Sequence, residues 1–186
     1  VTLTAYSSDG RTTTGTLPGG ATQITETYLD GRTKSVTGTA APAQYYEYGV
    51  NTDGSQWTKV YTGPAGVASP VWQKTTTDFL GRTVKTERPG YGSDEVSESF
   101  YNNNGQLIRN TVPGVADTLF EYNELGDQVR SGLDVNGNGA LDLASMDRIT
   151  ESAAVYGQIG ADWWRVSEQK IYAMDNEATP TTVSVT

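Results

Sequence analysis

The 186-residue chain contains neither cysteine nor histidine. The first absence excludes thiol catalysis, disulfide staples and thiolate metal sites. The second removes the commonest general base, the usual zinc ligand and every Ser-His-Asp or Cys-His arrangement. Catalysis would have to rest on carboxylates, tyrosine or lysine, and the expectation is that the chain is not an enzyme. Basic residues are also few: 13 Lys and Arg stand against 22 Asp and Glu, a net charge of -9. Phosphate recognition depends on clustered cations, so nucleic acid is not an expected partner. No apolar run approaches the ~20 residues that cross a bilayer, and no membrane insertion is expected. Hydrophobic residues make up 35% and mean hydropathy is -0.49, low for a domain built round one thick core.

Glycine (21) and tyrosine (11) are plentiful beside much threonine, which favours strands and turns over helices. So polar a strand protein suits a thin or curved sheet with one face of each strand buried. Four Trp and the tyrosines argue against disorder, the other reading of a low apolar content.

Glycines recur at Gly10, Gly31, Gly54, Gly81, Gly105, Gly126 and Gly160, and Tyr6, Tyr101, Tyr122 and Tyr156 each stand four residues before one of them. Tyr28 lies one residue closer to its glycine, and Arg11, Arg32 and Arg82 follow theirs. Pro18, Pro89 and Pro113, each before a glycine, fall eight residues after Gly10, Gly81 and Gly105. Two turns and two short runs make one β-hairpin per repeat. Asp9, Asp30, Asp53 and Asn104 are placed to hydrogen-bond their own turns. The fold expected is all-β, consecutive antiparallel hairpins forming a curved or spiralling sheet, with the tyrosines as a ladder on the buried face. The array covers 1–176, and 177–186 is an extended tail. Val1 in place of an initiator Met suggests a processed product or a segment of a longer chain.

Thr27-Tyr28-Leu29-Asp30-Gly31-Arg32, Asp78-Phe79-Leu80-Gly81-Arg82, Tyr101-Asn102-Asn103-Asn104-Gly105-Gln106 and Tyr122-Asn123-Glu124-Leu125-Gly126-Asp127 resemble the Tyr-Asp-x-x-Gly-Arg signature of the YD-repeat (Rhs-repeat) family. That family includes Rhs proteins, toxin-complex shell subunits and teneurins. Thr77 stands where the signature has Tyr before Asp78, and Gln106 and Asp127 replace Arg. The resemblance implies a long spiralling β-ribbon, which in large members closes into a shell. Those that carry toxins also have an Asp-Pro-x-x-Gly type cleavage region, and no Asp-Pro occurs here.

The sharpest local motif is Asp134-Val135-Asn136-Gly137-Asn138-Gly139-Ala140-Leu141-Asp142. Oxygen donors at positions 1, 3, 5 and 9, a glycine at 6 and an apolar residue at 8 reproduce much of a calcium loop. Asp134, Asn136, Asn138, the Ala140 carbonyl and Asp142 would supply five of the six to eight oxygens that Ca²⁺ takes. Ser145 stands at position 12 in place of the bidentate Glu, and Asp147 is the next carboxylate. Such a loop reads as an insertion over 134–147 binding at about 10⁻⁴–10⁻³ M. A Gly/Asn-rich turn closed by its own hydrogen bonds is the ion-free alternative. Trp163 and Trp164 are candidate ligand-contact aromatics; strand alternation sends one outward and the other into a core. Asp94, Glu95 and Glu98 form an acidic cluster, read as solvated surface rather than a catalytic pair.

These features point to an extracellular or cell-surface structural module, bacterial in style, forming part of a shell, stalk or surface assembly. Its partners would be copies of itself or flanking repeats. Two alternatives remain: a self-assembling filament subunit that donates its edge or tail strand, and an adhesion module for a glycan or receptor.

Overall fold

The computed structural model describes residues 2–176 and 178–185. They form fifteen strands, each antiparallel to its neighbours, in consecutive hairpins, and fall into two compact units, 1–96 and 97–186. The all-β hairpin fold expected from the sequence is present in both.

The first unit carries β1 (Leu3–Tyr6), β2 (Thr12–Thr16), β3 (Thr22–Thr27), β4 (Thr33–Gly38), β5 (Gln44–Val50), β6 (Gln56–Thr62), β7 (Trp72–Thr77) and β8 (Thr83–Arg88), each paired with the next. The second has β9 (Glu95–Tyr101), which begins at the end of the first, then β10 (Leu107–Thr111), β11 (Asp117–Tyr122), β12 (Gln128–Asp134), β13 (Arg148–Ile159), β14 (Asp162–Tyr172) and β15 (Thr182–Val185). These too pair in chain order.

One loop recurs where the sequence repeats. At Tyr28, Asn51, Asp78, Asn102 and Asn123 the N–H donates to the carbonyl four residues on. The glycine three residues on donates back to the first residue's carbonyl, all at 2.8–3.1 Å. The glycines hold φ of +79° to +91°, a region costly for side chains with a Cβ. This is a three-residue hairpin with a glycine bulge. Pairing slips by a residue beside four of these loops, in β3/β4, β7/β8, β9/β10 and β11/β12. The copy at Gly54, recognisable in the sequence mainly by spacing, has the same hydrogen bonds.

A side-chain oxygen braces each loop from one of two places. Asp78, Asn102 and Asn123, at the first position, each accept two backbone N–H groups through Oδ1, the second from the residue after the glycine. Asp30 and Asp53, just before the glycine, reach the residue after it as well, as Asp9 does in the wider Ser7–Thr12 turn. Asn104 does not brace its turn as expected, because Asn102 already accepts the Asn104 N–H at 3.0 Å. The arginines of the signature close the arrangement: Arg11, Arg32 and Arg82 each pair with the aspartate of their own loop at 2.6–2.9 Å.

Buried apolar side chains are few, so charge and aromatic contacts hold much of the sheet. Direct cross-strand partners in the second unit run Glu121, Arg130, Glu151, Lys170 across β11 to β14. Their signs alternate, with separations of 3.5, 2.7 and 3.7 Å. In the first unit the matching row is Glu47, Lys59, Lys74, Glu87 across β5 to β8, which sets two lysines opposite each other. Like charges so placed repel. The repulsion is relieved because Lys59 lies over the Trp72 ring at 3.9 Å, while Lys74 lies over Trp57 at 5.0 Å and reaches Glu87 at 3.6 Å.

The expected tyrosine ladder is only partly present. Tyr6 and Tyr156 are 73% and 72% exposed. Tyr28 and Tyr122 instead use their hydroxyls, donating to the Tyr46 and Leu107 carbonyls of other strands. Of the tyrosines, Tyr61 and Tyr172 are the buried ones among the described residues.

Candidate functional site

The 134–147 segment joins β12 to β13 and is closed by two buried carboxylates. Asp134 Oδ1 accepts the N–H groups of Gly137 (2.8 Å) and Asn138 (3.1 Å), and Oδ2 accepts that of Gly139 (2.7 Å). Asp147 Oδ1 accepts from Val135 (2.9 Å) and Asn136 (3.4 Å), and Oδ2 from Asp142 (2.9 Å). Exposure of the two residues is 5% and 2%. Six backbone donors of an irregular segment thus find acceptors without a sheet.

The smaller groups complete the closure. Asn136 Oδ1 accepts the Asn138 N–H, Asn138 Oδ1 accepts the Ala140 N–H, and the Asn138 amide donates to Asp142 Oδ2 at 2.6 Å. The segment then delivers Leu141 against Leu119, Ile149 and Tyr172, the buried apolar cluster of the second unit, with Leu143 packed beside it. Position 8 of the motif therefore fills the core role its apolar character suggests.

All five sequence-assigned oxygen donors lie in this one segment. Hard oxygen ligands of this kind suit Ca²⁺. Each carboxylate of Asp134 and Asp147 spends about three of its four lone-pair positions on backbone N–H groups, which leaves about one for an ion. Among the described residues no Lys or Arg pairs with Asp134, Asp142 or Asp147, and no three His, Cys, Asp or Glu side chains gather as a metal set. The motif's own donor set contains two carboxylates, Asp134 and Asp142, beside two amides and a carbonyl. Asp147, two places past the twelfth position and the next carboxylate after the motif, is the second anchor, which the nine-residue donor set does not include.

Trp163 and Trp164 lie in β14 on opposite faces, as alternation requires, but both are exposed, by 72% and 54%. The expected core partner is absent because β13 and β14 run on past their neighbours. Among the described residues β13 pairs with β12 only over 148–151 and β14 with β15 only over 168–171. The tail strand β15 is thus paired within its own chain; Glu177 and Thr186 of the expected tail lie outside the described residues. In the acidic cluster, Glu95 is taken up by Arg88 at 2.7 Å. No known family model matches the chain, and no curated protein does.

Proposed function

We propose that the chain is a non-enzymatic structural module of YD-type β-hairpins, working outside the cell as a section of a larger surface or shell assembly. The observation that carries this reading is the recurrence of one loop, with its glycine, its Asp or Asn brace and in two copies its arginine, at the positions where the sequence repeats. Repetition of a unit that is marginal alone and stable when stacked is how such arrays extend. Fractionation of producing cells, with an antibody raised against the purified chain, tests it. The protein is expected in the secreted or surface fraction, within a particle heavier than the lone chain. Recovery as a free cytosolic monomer would overturn the proposal.

Calcium at 134–147 is a second reading, favoured by buried carboxylates that no Lys or Arg among the described residues neutralises. Calcium is then expected to raise the melting temperature above that in chelator, and Asp142→Ala to remove the difference. Equal melting temperatures would leave the loop as a hydrogen-bonded closure alone.

A further inference from the structure

The outer part of the β13–β14 hairpin has two faces of different character. Cross-strand pairing sets Tyr156 opposite Arg165 and Gln158 opposite Trp163, so these four side chains share one face. Tyr156 and Trp163 are diagonal neighbours on it, within reach of a common ligand, and each is 72% exposed. Toward the base of the hairpin the same face continues through the pairs Ala154–Ser167 and Ser152–Gln169. Here a groove of about 650 Å³ opens between the hairpin and the β11–β12 loop, where Asn123, Asp127 and Gln128 line it. Arg165 lines the groove as well and stands across from Tyr156, which makes groove and aromatic pair one continuous surface.

We infer that this surface binds a neutral carbohydrate chain. Two exposed aromatic rings on one face offer flat surfaces to the C–H faces of sugar rings, as aromatic rings do for other flat or apolar groups. Around them stand amides, hydroxyls and a guanidinium with no partner among the described residues, the kind of donors and acceptors that vicinal hydroxyls satisfy. The floor of Ser and Ala leaves room above it. From Ser152 to Gln158 the face runs six residues, about 20 Å at ~3.3 Å per residue, long enough for several sugar units.

Charge selects the neutral class. The groove's Glu121, Arg130, Glu151 and Glu168 belong to the hairpin's other face, where Arg130 joins Glu121 and Glu151 and Lys170 joins Glu168; on the face of Tyr156 and Trp163 the charged strand side chain among the described residues is Arg165, with Asp127 at the groove's rim. One cation balanced by one carboxylate gives an anionic polymer little net attraction there. An apolar peptide would find polar walls and no enclosed apolar pocket. This inference does not depend on the scaffold reading, since it concerns one hairpin of the second unit.

Native affinity electrophoresis through gels containing hydroxyethylcellulose, galactomannan, dextran or alginate tests it on the whole chain. At least one of the three neutral polymers is expected to retard the protein. Trp163→Ala should weaken retardation roughly tenfold, equivalent to about 1.4 kcal/mol of lost stacking. Trp164→Ala, on the opposite face, should leave it unchanged, and because both residues are exposed neither change should disturb folding. Failure of all three neutral polymers would overturn the inference. So would retardation by alginate alone, equal loss in the two tryptophan variants, or a concentration-dependent dimer in sedimentation that Trp163→Ala dissolves, which would assign the face to a second copy.

Discussion

Asn102 and Asp78 hold the same place in two loops and brace them alike, each accepting two backbone N–H groups through one oxygen. What the loop requires at that place is an acceptor and not a charge. Asn102→Ala should therefore cost about 1 kcal/mol, because the donors it frees lie near water and recover part of their hydration. Asn102→Asp should retain most of the stability, and chemical denaturation of the three proteins measures the difference; equal losses in both variants would show that the amide N–H to Gln106, and not the acceptor oxygen, holds the loop. The glycines of these loops were legible from the sequence, since positive φ leaves little choice of residue. The brace is not: two positions in the loop can reach the same N–H, so Asp53 does brace its loop from the place before the glycine, while at Gly105 the work falls to Asn102 and not to Asn104.

At the scale of an element, the 134–147 insertion joins a polar closure to an apolar anchor. Leu141 is 6% exposed within the cluster of Leu119, Ile149 and Tyr172, so Leu141→Ala should destabilise the second unit by roughly 2–4 kcal/mol. Asp147→Ala would strand three backbone donors in a nearly buried setting, a loss of roughly 2–3 kcal/mol. Combined, the two losses should fall short of additive, because releasing the loop already unseats the leucine. Additive values from denaturant unfolding would mean that closure and anchor are independent. The motif's first position and its apolar eighth were readable because their spacing is fixed by chemistry. The exposure of both tryptophans was not, for alternation along a strand decides which faces two residues take but not whether any neighbouring element covers those faces. That depends on where β12 and β15 stop pairing, and no residue within β14 records it.

Over the whole molecule, acid acts in two opposing ways, and the carboxylates that brace the loops decide where the balance turns. Hydrogen bonds from the Ser7 hydroxyl and from Arg11 hold Asp9 down at about 2, against an ordinary value near 3.8. Asp30 is lowered by the Arg32 guanidinium and backbone N–H, and Asp53 by the Ser55 hydroxyl and N–H. Burial alone would raise Asp78, but the backbone and side chain of Arg82, with the Leu80 N–H, outweigh it and leave it lowered. All four are depressed in the folded state, so the unfolded chain binds more protons once pH drops below its own carboxylate values. Their stabilisation is complete above about pH 4 and is lost as pH falls through the folded values, toward about 2 for Asp9. Between neutrality and about pH 4.5 the other effect dominates, since titrating a chain of net charge -9 toward its pI near 4.4 reduces self-repulsion. The melting temperature followed by circular dichroism should hold or rise slightly from pH 7 to about 4.5 and then drop steeply below about 4. High salt should flatten the upper limb, which comes from dispersed charge, and affect the lower limb less, because hydrogen bonds within single loops lie inside the screening length. Replacing Asp9 and Asp78 together by alanine should shrink the acid limb while leaving the upper limb in place. A melting temperature that declines smoothly from pH 7, with no break near 4, would mean that the loop carboxylates do not hold their protons off as the hydrogen bonds require.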